Sequence, residues 1–330
     1  MTVWHSRHGY ILVGRETTYG TAVSAVKDIG LVQNVTPTGN MNWTRAYGIG
    51  DTTAVQSLDS GRADFSGSLE CILQHGRLLD YITGTTVVHD ATSTPDIKHT
   101  FAEASSIPSF TMEEGYNATT DITLKYHGVK LSSLTLALAL DGYLRCRADW
   151  TAEDLDPSGT TATTAVISTL TPFKDFMGNL SWGTIGAESA QAVIQSMEFT
   201  INRAGGGEPR IWGVESKLPQ AHEVSQTAID FRFSLAFQTV TALQDFLGSS
   251  AGVLNTGVEL TKKGLIIDIT NGVALASGRR EVYIDLSNCV INSITKPINI
   301  GGYIIMDVAG FAQTIDNLYT YDNITSANWG

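Results

Sequence analysis

The chain has 330 residues, of which 42% are hydrophobic and 16% charged, and its formal net charge at pH 7 is −12. This length and composition predict about two domains, each able to bury an apolar core, and exclude a largely disordered chain. The 21 Lys and Arg residues are scattered, which argues against tight binding to nucleic acid phosphates, because such binding needs a clustered basic surface.

No apolar stretch approaches the ~18 residues that a membrane-spanning helix needs, and residues 1–7 lack the apolar core of a secretion signal. The sequence therefore predicts folding in a cytosol, without a membrane partner. Cys71, Cys146 and Cys289 lie in extended apolar patterns and lack the paired spacing of a zinc site. Buried, reduced thiols are predicted at all three positions.

Residues 1–24 are predicted to form an N-terminal arm, and residues 25–152 a first β domain. Most of this domain alternates polar and apolar residues, which is the period of half-buried strands. In residues 62–71, Arg, Asp, Ser, Ser and Glu fall on one face and Ala, Phe, Gly, Leu and Cys on the other. A short helix is predicted at residues 74–83. The connection at residues 41–61 is long and rich in apolar and aromatic residues, so it is predicted to be a docking loop.

A linker is predicted at residues 153–186, and a second β domain at residues 187–312. This domain follows the plan of the first, with a long connection at residues 203–226 and an alternating strand at residues 229–238. A second short helix is predicted at residues 240–247, directly after that strand. The last segment, 313–330, is predicted to be a C-terminal arm.

The second domain is predicted to be a copy of the first. Residues 131–144 read LSSLTLALALDGYL and residues 291–304 read INSITKPINIGGYI, aligned without a gap at an offset of 291 − 131 = 160. Shorter matches keep the same order: Leu31 to Asn34 with Val193 to Ser196, Asp64-Phe65 with Asp230-Phe231, Ser68-Leu69 with Ser234-Leu235, Asp80 to Ile82 with Asp245 to Leu247, and Gly115 with Gly272. Conserved order and spacing indicate an internal duplication.

Enzymatic patterns are absent from the sequence, which contains no G-x-S-x-G, G-x-x-x-x-G-K-[ST], H-E-x-x-H or G-x-G-x-x-G motif. Glu113 and Glu114 are predicted to point to opposite faces of a strand, which disfavours paired acid and base chemistry. His5 and His8 are close in sequence, but a metal there would need ligands from elsewhere. The acidic segment 153–156 lacks the register of a calcium loop. The sequence predicts no enzyme, no metal site and no cofactor.

A family resemblance is carried by several short motifs. The segment YILVGRETTYGTA at residues 10–22 is similar to the start of bacteriophage tail tube proteins, which often have a G-x-E-x-x-[YF]-G-T-like stretch before the first core strand. The later order is similar too: SGSLE at 66–70, LLDY at 78–81, GVKLSSLTL at 128–136 and DGY at 141–143. The resemblance extends over most of the chain and is strongest at residues 10–84 and 120–150.

The resemblance implies an all-β fold with short helices, in which each tail-tube-type domain is a β sandwich or barrel with one flanking short α-helix. Such proteins form rings that stack into a hollow virion tail, assembled in the host cytoplasm, through which viral DNA passes. Most members have one domain and form six-membered rings. Because this chain carries the fold twice, the resemblance implies three chains per ring with a pseudo-sixfold shape. The implied partners are further copies of the chain, tape measure and tail terminator proteins, and DNA in transit without tight binding.

Two sets of residues are predicted to serve a tube. Polar strand faces are the candidates for the channel lining, because a polar or acidic wall avoids phosphate contacts that would hold DNA. The candidate lumen-facing residues are Asn34, Thr36, Thr38, Asn40, Arg62, Asp64, Ser66, Ser68, Glu70, Ser196, Glu198, Thr200, Asn202, Asp230, Arg232, Ser234 and Gln238. The candidate ring-stacking residues of the long connections are Trp43, Tyr47, Ile49, Val55, Leu58, Ile211, Trp212, Val214 and Leu218.

Alternative interpretations remain open at this stage. The polar strand faces are equally compatible with the solvated outer surface of a sandwich. The chain is also compatible with another virion tail component, such as a terminator or baseplate protein, or with a tandem β-sandwich adhesin. A carbohydrate-active enzyme on a β scaffold is disfavoured because no carboxylate pair stands out.

Overall fold

The computed structural model describes residues 9–46, 57–84, 88–93, 96–116, 122–157, 169–174, 178–191, 193–203, 210–212, 214, 216–222, 226–236, 244, 245, 247, 262–275, 278–296, 304–322, 324 and 329. Within these residues the fold is almost entirely β, with one helix of defined bounds and three further helical residues at 244, 245 and 247, which confirms the predicted all-β class. No helix in the described part of the chain is long and apolar enough to span a membrane.

The strands run in chain order as follows: β1 (Gly9–Arg15), β2 (Leu31–Ala46), β3 (Ser57–Ile72), β4 (Val88–Ser93), β5 (Asp96–Phe101), β6 (Phe110–Tyr116), β7 (Ile122–Ala139), β8 (Arg145–Ala152), β9 (Asp154–Asp156), β10 (Gly178–Thr184), β11 (Ala187–Ala190), β12 (Ile194–Asn202), β13 (Arg210–Trp212), β14 (Pro219–His222), β15 (Ala228–Ala236), β16 (Lys263–Leu275), β17 (Gly278–Thr295), β18 (Ile305–Ala312) and β19 (Thr314–Asp322). The helix is α1 (Arg77–Thr83).

Eight strands form one continuous antiparallel sheet, here called the inner sheet. Its order is β2-β3-β8-β7-β12-β15-β18-β17. A second layer holds β1-β6-β7-β9 and, further along, β11-β10-β16-β17-β19-β5-β4. The strands β7 and β17 are each 18 residues long and run through both layers, so each ties one part of the outer layer to the inner sheet.

The same six strand pairings occur twice. Strands β1, β2, β3, β6, β7, β8 and β9 pair with one another as β10, β12, β15, β16, β17, β18 and β19 do. The pairing registers shift at matching places, between Leu131 and Ser133 in β7 and between Ile291 and Ser293 in β17. These positions keep the offset of 291 − 131 = 160 that the sequence repeat gives.

The sequence alignment of β3 with β15 was wrong by two residues, both for Asp64-Phe65 and for Ser68-Leu69. Leu69 lies opposite Ala148, and Phe233 lies opposite Val308. Since 308 − 148 = 160, the partner of Leu69 in the repeat is Phe233, not Leu235 as the sequence match indicates. A slip of two residues leaves every side chain on its own face, because side chains alternate with period two, so the sequence pattern alone does not detect it. The match of Gly115 with Gly272 is wrong for the same kind of reason, because Gly115 lies opposite Thr123 and its structural equivalent is opposite Tyr283, at Asp268.

A single apolar core fills the space between the two layers. In β15 the residues Ile229, Phe231, Phe233 and Leu235 are buried, as their alternation predicts. They belong to a contiguous cluster that also includes Trp150 of β8, so the core extends through both repeats. Burial of each large side chain contributes about 1.5–3 kcal/mol. The three cysteines are free and buried, which confirms that prediction.

The helix α1 lies in the predicted segment and is buried along its whole length. It ends at Gly84, whose φ of 91° is in the left-handed region that glycine adopts without strain. Of the second predicted helix, at residues 240–247, the described residues Gln244, Asp245 and Leu247 are helical, in agreement with the prediction, and the others lie outside the described residues.

Several segments predicted to be a loop or terminal arms contain paired strands. Strands β2 and β3 extend through much of the predicted loop at 41–61, so Trp43 and Leu58 are strand residues. In the predicted terminal arms, β1 pairs with β6 and β19 pairs with both β17 and β5. Pairing satisfies the backbone donors and acceptors of these segments, and the partner strands are too distant in sequence for a local pattern to reveal them.

Candidate functional site

The polar side chains predicted from the two repeats lie on one face of the inner sheet. Along β2 and β3, Thr36 is opposite Ser68, and Ser68 is opposite Asp149 of β8. Asp149 in turn faces Ser133 of β7. The ladder continues across to the second repeat, where Ser133 is opposite Asn202. The described candidates on this polar face are Asn34, Thr36, Thr38, Asn40, Arg62, Asp64, Ser66, Ser68, Glu70, Ser196, Glu198, Thr200, Asn202, Asp230, Arg232 and Ser234. Gln238 lies outside the described residues.

Pairing between β7 and β12 places the polar strand faces of both repeats on the same side of the inner sheet. In β12 the polar residues Ser196, Glu198, Thr200 and Asn202 alternate with the buried Met197, Phe199 and Ile201. The hydroxyl oxygens of Thr135 and Thr200 are 2.9 Å apart across this junction. The two repeats therefore share one polar surface, with their apolar residues on the opposite side of the sheet.

Charges of both signs are spread over this face. Arg145 donates to Glu70 at 2.9 Å, and the side chains of both are solvent-exposed to a large extent, so the ion pair adds little stability. The acidic members are Asp64, Glu70, Asp149, Glu198, Asp230 and Asp307, and the basic members are Arg62, Lys130, Arg145, Arg147 and Arg232. The described face is thus mixed in charge, with 6 acidic against 5 basic side chains.

One end of the polar face is covered by the second repeat. The β13–β14 hairpin lies against β3, where the backbone N–H of Ala63 donates to the carbonyl of Lys217 at 2.9 Å. Arg210 is buried and forms an ion pair with Asp64. The guanidinium of Arg62 lies 4.9 Å from the centre of the Trp212 ring. Arg62 and Asp64 were predicted to line a lumen, and Trp212 to stack rings, and the structure brings these groups together within one chain.

Two segments of the chain, the distal β2–β3 hairpin and the β13–β14 region, carry exposed apolar side chains. Trp43 and Leu58, on the distal part of the β2–β3 hairpin, are 56% and 57% exposed. Ile211 and Val214, in the β13–β14 region, are also exposed, whereas Leu218 is half-buried. The candidates Tyr47, Ile49 and Val55 lie outside the described residues. Large apolar groups that protrude in this way are typical of surfaces that contact another molecule.

Arg203 is a residue whose role the sequence did not reveal. It follows β12, is almost fully buried, and donates to the carbonyls of Ile82 at 3.0 Å, Thr83 at 2.6 Å and Ala104 at 2.8 Å. Burial lowers the pKa of the guanidinium. Ile82 and Thr83 are in the last turn of α1, where backbone carbonyls have no partner within the helix. Arg203 of the second repeat thereby holds the helix of the first.

The described residues contain no group of three or more His, Cys, Asp or Glu side chains that is arranged to hold a metal ion. Glu113 accepts a hydrogen bond from Tyr10, whereas Glu114 accepts one from Tyr116, so the two carboxylates have different partners. His5 and His8 lie outside the described residues.

Comparison with known proteins identifies one family. A family model described as "Phage tail tube protein" matches residues 6–287. Twelve chains of solved structures also match. One of them, titled "Hybrid structure of the SPP1 tail tube by solid-state NMR and cryo EM", has 11% sequence identity and a TM-score of 0.32, and the match covers 46% of this chain and 80% of that chain. No match was found among curated proteins.

Proposed function

The chain belongs to the phage tail tube protein family, and we propose that the polar face of its inner sheet lines the channel of the tube. Proteins of this family are structural components of the virion tail, assemble into stacked rings of themselves, and are not known to be enzymes.

One observation carries the proposal: the side chains of one face of the inner sheet are mostly polar across its eight strands, and its apolar members include Ile305, Ala309 and Phe311 of β18. Its opposite face is apolar and packs against the outer layer. A wall of hydroxyl, amide and mixed charged groups is wetted by water and has no clustered cations for phosphates to bind. Such a wall suits DNA that must pass without being held during ejection.

The repeated pairings support a ring of three chains. We infer that each repeat is one copy of the tail tube domain, that the first copy includes β1 and β9, and that the second includes β10 and β19. Three chains then supply six copies, and 3 × 8 = 24 strands for a closed inner sheet. Closure removes the open strand edges that would otherwise promote aggregation. The formal charge of such a ring is 3 × −12 = −36.

Contacts between rings are assigned to the exposed apolar projections. Trp43 and Leu58 of the β2–β3 hairpin and Ile211 and Val214 of the β13–β14 region supply the apolar area for stacking. The ends of the tube would present the same surfaces to a tail terminator protein, and the polar face would surround a tape measure protein before DNA enters.

Electron microscopy of the purified full-length chain tests this function. We expect hollow tubes of stacked rings whose averaged cross-section has threefold symmetry with six similar lobes. Layer-line spacing in the power spectrum gives the repeat of the rings. Single rings that never stack would instead indicate a terminator or baseplate role, and particles without a central bore would contradict the tube assignment.

A further inference from the structure

The inner sheet has an open strand edge at each end. In the described part of the chain, β2 has β3 as its strand neighbour, and the C-terminal half of β17 has β18. Thr38 and Asn40 on β2 and Ser293 and Thr295 on β17 are exposed. An unpaired edge presents a row of backbone donors and acceptors to any strand that approaches in register.

A junction of the same kind already exists inside the chain, between β7 of the first repeat and β12 of the second. Thr135 lies opposite Thr200, and Ser133 lies opposite Asn202. Near the end of the junction, the backbone N–H of Arg203 donates to the carbonyl of Ser132 at 2.8 Å. The junction is thus a regular antiparallel ladder with its polar side chains on the channel-facing side.

The repeat fixes which residues at the open edges correspond to this junction. The register shift between Val32 and Asn34 in β2 matches the shift between Ile194 and Ser196 in β12, which sets an offset of 196 − 34 = 162. Thr38 therefore corresponds to Thr200, since 200 − 162 = 38. The offset of 160 between β7 and β17 makes Thr295 the counterpart of Thr135.

The side chains on the polar side of the sheet are identical at the internal β7–β12 junction and at the open edges of β2 and β17. Thr38-Gly39-Asn40 of β2 stands where Thr200-Ile201-Asn202 stands in β12, and Ser293-Ile294-Thr295 of β17 stands where Ser133-Leu134-Thr135 stands in β7. Only the middle residues, which face the other side of the sheet, differ. The internal junction and the two open edges thus carry the same pair of polar contacts, Thr with Thr and Ser with Asn.

We propose that β2 of one chain pairs with β17 of a second copy in the register of the internal β7–β12 junction, with Thr38 opposite Thr295 and Asn40 opposite Ser293. This inference rests on the proposed tube function and specifies its contact between chains. Because the two edges differ, each chain uses one edge for each neighbour, which gives a head-to-tail ring and not a two-chain complex.

Pro37 supports the orientation of β2 in this contact. The bond from Arg203 to Ser132 shows that Arg203, and by alternation Ile201 and Phe199, direct their backbone groups toward β7. The counterpart of Phe199 is Pro37, since 199 − 162 = 37. Proline has no N–H and is tolerated in strands where that side faces an edge. The contact between chains therefore has one N–H donor fewer than the internal junction.

Cysteine cross-linking tests the register. Thr135 and Thr200 belong to the non-hydrogen-bonded class of pairs, with Cα atoms about 4.5 Å apart, which is within the disulfide range of about 4.4–6.8 Å. We expect the double variant Thr38→Cys, Thr295→Cys to give disulfide-linked dimers and trimers on non-reducing gels after assembly and oxidation. The variant Thr135→Cys, Thr200→Cys serves as positive control, since its disulfide forms within one chain and leaves a monomer.

Off-register variants complete the test. In Thr36→Cys, Thr295→Cys the cysteines are displaced by two residues, about 7 Å along the strand, so the cross-link should be lost. Efficient cross-linking of this variant, or dimers from Thr38→Cys alone, would overturn the register. Tubes that form normally while Thr38→Cys, Thr295→Cys stays uncross-linked would also overturn it and leave the tube function intact. Particles without a bore would instead contradict the tube function itself.

Charge substitutions at the same pair give a second test. The double variant Thr38→Lys, Thr295→Lys should abolish rings, and the double variant Thr38→Lys, Thr295→Asp should restore them.

Discussion

At the scale of single residues, Arg203 connects the two repeats more directly than any candidate from the sequence. Its three hydrogen bonds end at carbonyls of α1 and of Ala104, and its side chain is shielded from water. We expect Arg203→Met to lower the free energy of unfolding by about 2–4 kcal/mol, because buried carbonyls lose a charged donor. Urea denaturation at pH 7 measures this loss.

Arg232→Met is the matched control for that substitution. Arg232 lies on the exposed polar face, so its replacement should change the free energy of unfolding by no more than about 0.5 kcal/mol. Equal effects of the two substitutions would show that the contacts of Arg203 do not hold the repeats together.

We expect Asp28 to contribute to stability against acid, because it accepts hydrogen bonds from His75 at 2.8 Å and Arg77 at 2.6 Å. Burial alone would raise the pKa of Asp28, but these bonds and the neighbouring positive charges lower it to about 2. A carboxyl with a lowered pKa stabilises the folded state above its unfolded pKa of about 3.9, and this contribution is lost as the pH falls toward 2.

Asp28→Asn should therefore destabilise the protein at pH 7 by about 1–2 kcal/mol, a figure that allows for partial screening by solvent. The difference from the unsubstituted protein should shrink as the pH is lowered from 4 to 2. Chemical denaturation at a series of pH values measures both quantities. A difference that stays constant over this pH range would exclude Asp28 as the titrating group.

At the scale of elements, the distal β2–β3 hairpin is separate from the core. Trp43 and Leu58 are exposed there, and the inner sheet proper begins with the pairing near Asn40 and Asp64. Replacing residues 44–60 by an Asn-Gly turn, which favours tight hairpins, should leave the fold intact and abolish tube growth. Circular dichroism reports the fold, and negative-stain microscopy reports the tubes.

Two outcomes decide the role of this hairpin. Single rings in place of tubes would agree with a stacking role, because closure of each ring uses other strands. Long tubes of normal repeat from the shortened chain would contradict it.

The sequence predicted the faces of the strands better than their limits or partners. In β15 the buried positions follow from alternation alone, since period two is local information. The end of β2 does not follow from alternation. Trp43 lies in a segment whose length and composition resemble a loop, and it is part of a strand because it pairs with Ser60. Arg203 could not be predicted, since its partners at Ile82 and Ala104 are distant in sequence.

At the scale of the whole molecule, the balance of charge on the polar face matters more than the total. The chain has a net charge of −12, yet the described part of the face has acidic and basic groups in similar number. Most of the acidic excess of the chain therefore lies outside the described part of this face. If this face lines the channel, as we propose, its mixed charges offer phosphates no clustered cations to bind and no large negative charge to oppose their entry.

Adding cations to the proposed channel should convert it into a DNA-binding surface. Thr36→Lys with Ser234→Lys places 2 × 3 = 6 new positive charges in a ring of three chains. We expect tubes of this variant to retain short duplex DNA that is protected from a nuclease, with an affinity that falls steeply with salt, by a slope of about −0.9 per phosphate contacted. Tubes of the unsubstituted chain should retain none under the same conditions.

The matched control places the same charges on the outer layer, with Thr184→Lys in β10 and Thr314→Lys in β19, both at exposed positions. Its tubes should bind DNA with a similar dependence on salt, because counterion release is the same, but the bound DNA should be digested by nuclease. Protection of the bound DNA from nuclease therefore distinguishes the polar face from the outer layer, whereas the affinity for DNA does not. If the outer variant protected DNA and the variant at Thr36 and Ser234 left it open to digestion, the sheet would face the other way, with its polar side to solvent and the outer layer around the bore.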